Sequence, residues 1–434
     1  MFEEGKPEEG KPEEEKLENE YIAIATKSWY DKYQNFVIEN IDTLDIFELS
    51  ANPNITLDFL ENNTHAILER TEQGFVIDNS YIQWDGNGLS LNPNITMDFV
   101  KKHPQVEWNG QYLSKHPNIT MTDVKNDMNN EIEWDDKYLS KNPNITFEDI
   151  MNNPQIQWDG IALSNNPNIK MEDIIRISLA YPLIEWDIKA LSKNPNITMF
   201  DVINNPQIDW NIFFLGYNPN ITAEDVISNP LIKWDGWSLS QNKNIKIEDI
   251  IRISLANPKI EWYVASLCEN QSLTIDDIYK LIEIKNLNIN WRKYNINRNP
   301  NITIEYVINH PEEDWDGEFL SGHKNITLND VFNYPNSIID GIIYGDINSD
   351  YPIIYWDMEL LSSNPNISVD DVLLYPELQW DGQNLSGNDM KKSKEHYIKN
   401  KIYELKFIDE FKSRGRKYFP TVISNIIIDN LYKL

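Results

Sequence analysis

The chain has 434 residues, with 69 Asp and Glu against 38 Lys and Arg, a net charge of −31 and a single Cys. That charge repels duplex DNA and RNA at long range, and one Cys excludes both an internal disulfide framework and a Cys-based zinc site. No apolar run reaches membrane-spanning length, and the first residues are acidic where a signal peptide would be basic and then apolar. A soluble protein of a reducing compartment, the cytoplasm, is the expectation.

Residues 1–20, MFEEGKPEEGKPEEEKLENE, hold nine Glu and three Lys and only Leu17 as a core-forming residue after Phe2, so they predict a disordered acidic tail. Apolar residues at helical spacing in residues 21–40 predict an N-terminal helical cap. Residues 41–389 are a tandem array. Twelve Trp organise it: Trp84, Trp108, Trp134, Trp158, Trp186, Trp210, Trp234, Trp262, Trp291, Trp315, Trp356 and Trp380. Nine residues after each comes the Pro slot of an N-P-N-I-T element, as Pro143 and Pro167 illustrate, and an earlier degenerate unit places Leu44 and Pro53 at the same offset. The composite unit is W-D-G-x-x-L-S-x-N-P-N-I-T-x-x-D-V-x-x-N-P-x-I, and the commonest spacing is 24 residues.

Each unit carries two helix starts and two stops. Thr146 three residues before Asp149 matches the Ser/Thr-x-x-acid start of a helix, and Pro154 stops that helix because the residue before a proline is pushed out of helical geometry. Asp159, after Trp158, is an N-cap for a second short helix holding Leu163; Leu191 and Leu239 fill that position in other units, and the next Asn-Pro, such as that at Pro143, ends it. Two units carrying IIRISLA are longer by four residues between the Pro slot and the next Trp, about one helical turn, which marks that segment as helical. A two-helix unit of this size cannot bury its own apolar face, so stacking must supply the core. The fold class expected is all-α, an α-solenoid of about thirteen two-helix repeats with terminal caps. The alternative is a leucine-rich-repeat-like coil, since Ile156 and Trp158 alternate like a strand.

Insertions fall near 61–83 and 333–355, where a recognition surface or extra packing could be carried. Residues 390–434 hold 11 Lys and Arg against 5 Asp and Glu and predict a basic helical cap, the one place where an anionic partner, RNA included, is conceivable.

Catalysis has no visible carrier. The Asn-Ile-Thr triplets are formal glycosylation acceptors, but the Thr is employed as a cap. His116 and His323 occupy the Asn slot before the Pro position and read as turn substitutions. Cys268 occupies the Ser slot of the second helix. No cofactor and no metal ligand set is indicated.

The W-D-G-x-x-L-S-x-N-P-N-I-T unit resembles the short tandem repeats of proteins encoded by mimivirus-like giant DNA viruses, over residues 40–388. It departs at Lys243, Gln271 and Lys324, where Pro is lost, and at Tyr263 and Arg292, where the Asp cap is lost. The resemblance implies a repeat scaffold without an activity, acting in host cytoplasm or packaged in virions. The expected function is non-enzymatic protein–protein interaction with a protein partner that the net charge would favour as basic. The alternative is a structural component of a virion or viral factory.

Overall fold

The computed structural model describes residues 11–63, 82–127, 132–284, 287–290, 296–344, 348 and 350–418. Among them are 26 α-helices and five strands of two or three residues, so the fold is all-α.

Thirteen units recur, most with a short A helix after the Trp slot and a B helix after the N-P-N-I-T turn; in unit 10 the A place is the 3-10 turn Ile296–Arg298, and unit 13 runs from its A helix into the C-terminal helix. Unit 1 pairs Ile46–Ala51 with Leu57–Asn63, unit 5 pairs Gly160–Leu163 with Met171–Ala180, and unit 8 pairs Gly236–Gln241 with Ile247–Ala256. The cap chemistry accounts for the boundaries. The Asp159 side chain accepts from the Ala162 N–H, which satisfies one of the free donors of an A helix start. Thr146 and Asp149 exchange bonds reciprocally: the Thr146 N–H and hydroxyl both donate to the Asp149 carboxylate, while the Asp149 N–H donates to Thr146 Oγ1. B helices are mostly six residues long, as in Phe147–Asn152, and the two IIRISLA units have ten.

The extended Ile-x-Trp stretch does not build a continuous ladder. In most units the Trp N–H turns back to the carbonyl two residues earlier, as Trp158 does to Ile156 and Trp234 to Ile232. Trp262–Tyr263 pairs in parallel with Ile289–Asn290 over one short rung. The insertion at 333–355 is a small sheet. Ser337–Ile339 pairs antiparallel with Ile342–Tyr344 and parallel with Ile354–Trp356, and the hairpin turns through Asp340 and Gly341 at φ 49° and 81°. The other insertion lies largely outside the described residues.

The ends differ from expectation in one respect. A single helix runs from Lys11 to Asn40, so the described half of the acidic tail is helical and continuous with the cap. Isolated Glu-rich sequence has too little apolar surface to order itself, but here a partner is supplied: the C-terminal helix Lys391–Tyr418 lies antiparallel against it. Tyr21 donates to Asp409 at 2.7 Å, Ser28 and Tyr397 hydroxyls lie 2.9 Å apart, and Lys394 reaches the Tyr30 hydroxyl. Residues 419–434 and 1–10 are outside the described residues.

The last A helix, Gly382–Gly387, packs against the first, Ile46–Ala51. The Asp45 N–H donates to Ser386 Oγ, and Asn52 Nδ2 donates to the carbonyls of Ser386 and Asn388 at 2.7 and 2.9 Å. A methyl at Gly382 would stand 1.9 Å from the Thr43 carbonyl oxygen, as one at Gly236 would stand 1.8 Å from that of Glu261. The contacts that join unit 13 to unit 1 are therefore those that join neighbours elsewhere, and the row of A helices has no free end.

Candidate functional site

The side chains inside the array are committed to joining one unit to the next. Trp158, Trp84, Trp210, Trp234, Trp262, Trp315 and Trp356 are buried, Trp108, Trp134, Trp186 and Trp380 are partly buried, and Trp291 lies outside the described residues. In most units with a short B helix the indole N–H donates to the carbonyl five residues earlier, as in Trp158 to Asn153 and Trp210 to Asn205, whereas Trp134 donates to the Asp127 carboxylate. In the long units that carbonyl is out of reach, and Trp186 and Trp262 donate instead to the Ser178 and Ser254 hydroxyls. Leu163, Leu191 and Leu239 are fully buried, as are the Ile of the N-P-N-I-T turns, Ile145 and Ile221 among them.

Two slots do more than their sequence reading suggests. The Ser after the Leu accepts the backbone N–H of the next unit's cap residue, as Ser140 Oγ does from Asp159 and Ser192 Oγ from Asn211, while its own hydroxyl donates to a carbonyl four residues back. The Asn before the Pro slot is a buried clamp. Asn218 Nδ2 donates to the Ser192, Asn194 and Ile197 carbonyls at 2.9, 3.0 and 3.1 Å, and its Oδ1 accepts from the Asn220 N–H at 2.8 Å. Read from the sequence this Asn only stops a helix. Its recurrence beside Pro offers no way to tell a cap from an inter-unit bond.

His116 and His323 fill the same clamp. His116 Nε2 lies 2.9 Å from the Asn92 carbonyl and its Nδ1 accepts the Asn118 N–H, so the ring is neutral with its proton on Nε2. Burial lowers the pKa of both imidazoles from the ordinary value. The unfolded chain then takes up protons that the folded chain refuses, so this contribution is complete above about pH 6.5 and is lost as pH falls. The variant His116→Asn/His323→Asn should therefore lose less melting temperature than the native chain on going from about pH 7 to about pH 5. Equal losses in a thermal melt series would show that these rings do not carry the dependence.

The second Asn of the turn is also engaged. Asn94 Nδ2 donates to the Pro53 and Ile55 carbonyls, and Asn118, Asn144, Asn196, Asn220, Asn301 and Asn325 donate likewise to the preceding unit, Asn54 to Asp389 across the seam. The amide nitrogen that glycosylation would need is thus spoken for. Loss of Pro at Lys243, Gln271 and Lys324 leaves the joint in place: each backbone carbonyl still accepts, from Ser272, Asn301 and Asn366. Cys268 is a free, fully buried thiol, and burial pushes its pKa up to about 12. An aromatic disulfide reagent should leave it unmodified in the native protein and label it stoichiometrically in denaturant. Rapid native labelling, read by absorbance, would contradict its burial.

With the repeat's own residues absorbed, the variable positions on the A helices are the third, fourth and seventh after each Trp, the fourth being buried where it holds Gly88, Ala162, Ala190 or Ser238. From unit 2 to unit 8 these hold five Lys (Lys115, Lys137, Lys141, Lys189, Lys193), six aromatics and no Asp or Glu. They interleave. Lys115 lies over the Tyr112 and Tyr138 rings at 5.1 and 5.6 Å, Lys141 over Tyr138 at 5.2 Å, and Lys193 over Phe214 at 5.8 Å. Phe213 meets Phe214 and Tyr217 edge-on, and Trp237 lies 5.3 Å from Tyr263. Burial and nearby carboxylates raise the Tyr217 pKa, so its hydroxyl stays protonated at neutral pH. Farther round, the same positions carry Glu269, Glu318, Glu359 and Glu48, with Arg298 over Phe319 and paired to Glu269 at 3.0 Å. At these three positions one arc of the A row carries lysines and aromatics and the opposite arc acids, although Glu107, Glu133 and Asp135 line a cleft beside Asn87 and Gln111 on the first arc.

Among the described residues of the basic C-terminal helix, four lysines are engaged within the chain: Lys392 donates to the Lys324 carbonyl, Lys394 to Asn54 Oδ1, Lys401 pairs with Glu404 and Lys406 with Glu18. Among the described residues no three of His, Cys, Asp and Glu stand close enough to hold a metal ion, and no helix is long and apolar enough to cross a membrane. No known protein family matches the chain, and no curated protein or solved structure does.

Proposed function

We propose that the protein is a non-enzymatic interaction scaffold, a closed α-solenoid whose basic–aromatic arc receives an extended protein segment rich in acidic and apolar side chains. The observation that carries this reading is the arc itself: five Lys and six aromatics on the A helices of units 3, 4, 6, 7 and 8, with unit 5 contributing Ile161 between the two groups. Aromatic rings offer large contact area at low entropy cost, and lysines over their faces supply charge without a competing carboxylate on those positions. The favoured partner is thus acidic at this surface, where the net charge of −31 alone would favour a basic one. The A row takes the inner, shorter circumference in this reading, because helix lengthening, the 333–355 insertion and the two terminal helices all lie in the B layer. The repeat's resemblance to giant-virus sequences supports, as part of this proposal, a role in an infected host's cytoplasm or in a virion.

The test is fluorescence polarisation against a panel of labelled peptides of graded acidic and aromatic content. Acidic-aromatic peptides should bind at low salt and weaken as salt rises, and Lys137→Glu/Lys141→Glu should lower affinity roughly 10-fold or more. If no peptide binds, or the variant binds as the native chain does, the arc is not the receiving surface.

A further inference from the structure

On the other layer, units 5 to 8 expose leucines almost completely. Leu183 and Leu231, both three residues before a Trp, are 95% and 96% exposed, and Leu179 and Leu255, at the ends of the two long B helices, are 78% and 81% exposed. Ile203 of the intervening unit is also exposed. All five lie at the C-terminal end of a B helix or in the turn that follows, so stacking sets them along one edge of four consecutive units. Elsewhere the position three before the Trp is mostly polar, as Gln105, Gln155, Gln207 and Glu377 show, so the repeat itself does not require leucine there.

We infer that this edge is a self-association surface, and that its occupant is the same edge of a second copy of the chain. Three features select a second copy. The first is charge: residues 170–260 carry nine Lys and Arg against eleven Asp and Glu, so nearly all of the −31 lies elsewhere and two such chains repel little here. The second is size: five residues exposed to this degree present roughly 750 Å² of surface across four units, close to the ~800 Å² each partner buries in a stable interface. The third is self-complementarity. Met171–Ala180 and Ile247–Ala256 share the sequence EDIIRISLA and bracket the edge three units apart. A two-fold axis between units 6 and 7 brings Leu179 of one copy to Leu255 of the other and the reverse, as an isologous interface demands.

Sedimentation equilibrium of the full chain should give a species of twice 50.9 kDa at micromolar concentration, retained in high salt because the contact is apolar. Leu183→Glu/Leu231→Glu should raise the dimer dissociation constant roughly 100-fold or more. Both leucines are solvent-exposed, so an unchanged thermal melt of the dissociated variant is the accompanying expectation. A native chain that stays monomeric at the highest attainable concentration overturns the inference, and so does a dimer that the double substitution leaves intact. Peptide binding at the A-helix arc, measured on the same variant, is expected to persist, so loss of one property is distinguishable from loss of the other.

Discussion

Asn218→Ala should destabilise the array by about 3 kcal/mol or more, although it removes only part of one side chain from the middle of a 434-residue protein. The residue is fully buried, and the change strips a partner from three carbonyls of the preceding unit and from the Asn220 N–H. A buried polar group left without a partner costs about 1–3 kcal/mol, and the packed turn gives water little access to replace what is lost. The exposed Asn204, which bonds only to a carbonyl four residues back in its own helix, is the matched control, and Asn204→Ala should change stability by no more than about 0.5 kcal/mol. Asn218→His should fall between the two, because His116 and His323 show that an imidazole can keep the upward and the inward bond while giving up the rest. Urea unfolding with hydrogen exchange localised to units 6 and 7 measures all three. If the Ala variants at 218 and 204 behave alike, the clamp contributes nothing beyond its place in the turn.

Asn52→Asp should open the ring. The substitution is isosteric and places an oxygen where Nδ2 now donates to the Ser386 and Asn388 carbonyls. Facing two acceptors without a proton to give, the seam should lose about 3 kcal/mol. At an internal junction the same change, Asn242→Asp, should lower stability without separating the units, because the chain itself holds neighbours at high effective concentration. Units 1 and 13 have no such tether. Between them stand the seam bonds and the paired terminal helices, whose contacts include surface ion pairs such as Lys406 with Glu18 that contribute little. Small-angle scattering should therefore report a larger radius of gyration for Asn52→Asp than for Asn242→Asp at matched fraction folded. Equal radii would mean that the terminal helices close the ring unaided.

Much of the local structure was legible because it is written in short-range chemistry. Thr146 with Asp149, Asp159, and the four-residue lengthening at IIRISLA each specify a helix start or length within one or two turns, and the helices lie at those places. The lysine and aromatic positions of the A helices were half legible. They are the variable positions of the repeat, but the reading of net charge masked a local surface of opposite sign. The terminal helix shows the reverse failure, since the described part of the Glu-rich sequence is helical and continuous with a cap that pairs with the far end of the chain, Glu18 meeting Lys406 and Tyr21 meeting Asp409.

The sequence by itself determined the period, the caps and the apolar slots, since each depends on residues close together in the chain. Only the tertiary structure decided that Asn52 meets Ser386, that Leu179 and Leu255 share an exposed edge, and that Lys115 stands over Tyr138 in the neighbouring unit. The reason is geometric. A repeat fixes the rotation between neighbours only to within small errors, and whether thirteen such rotations close on themselves depends on their sum, which no single unit encodes.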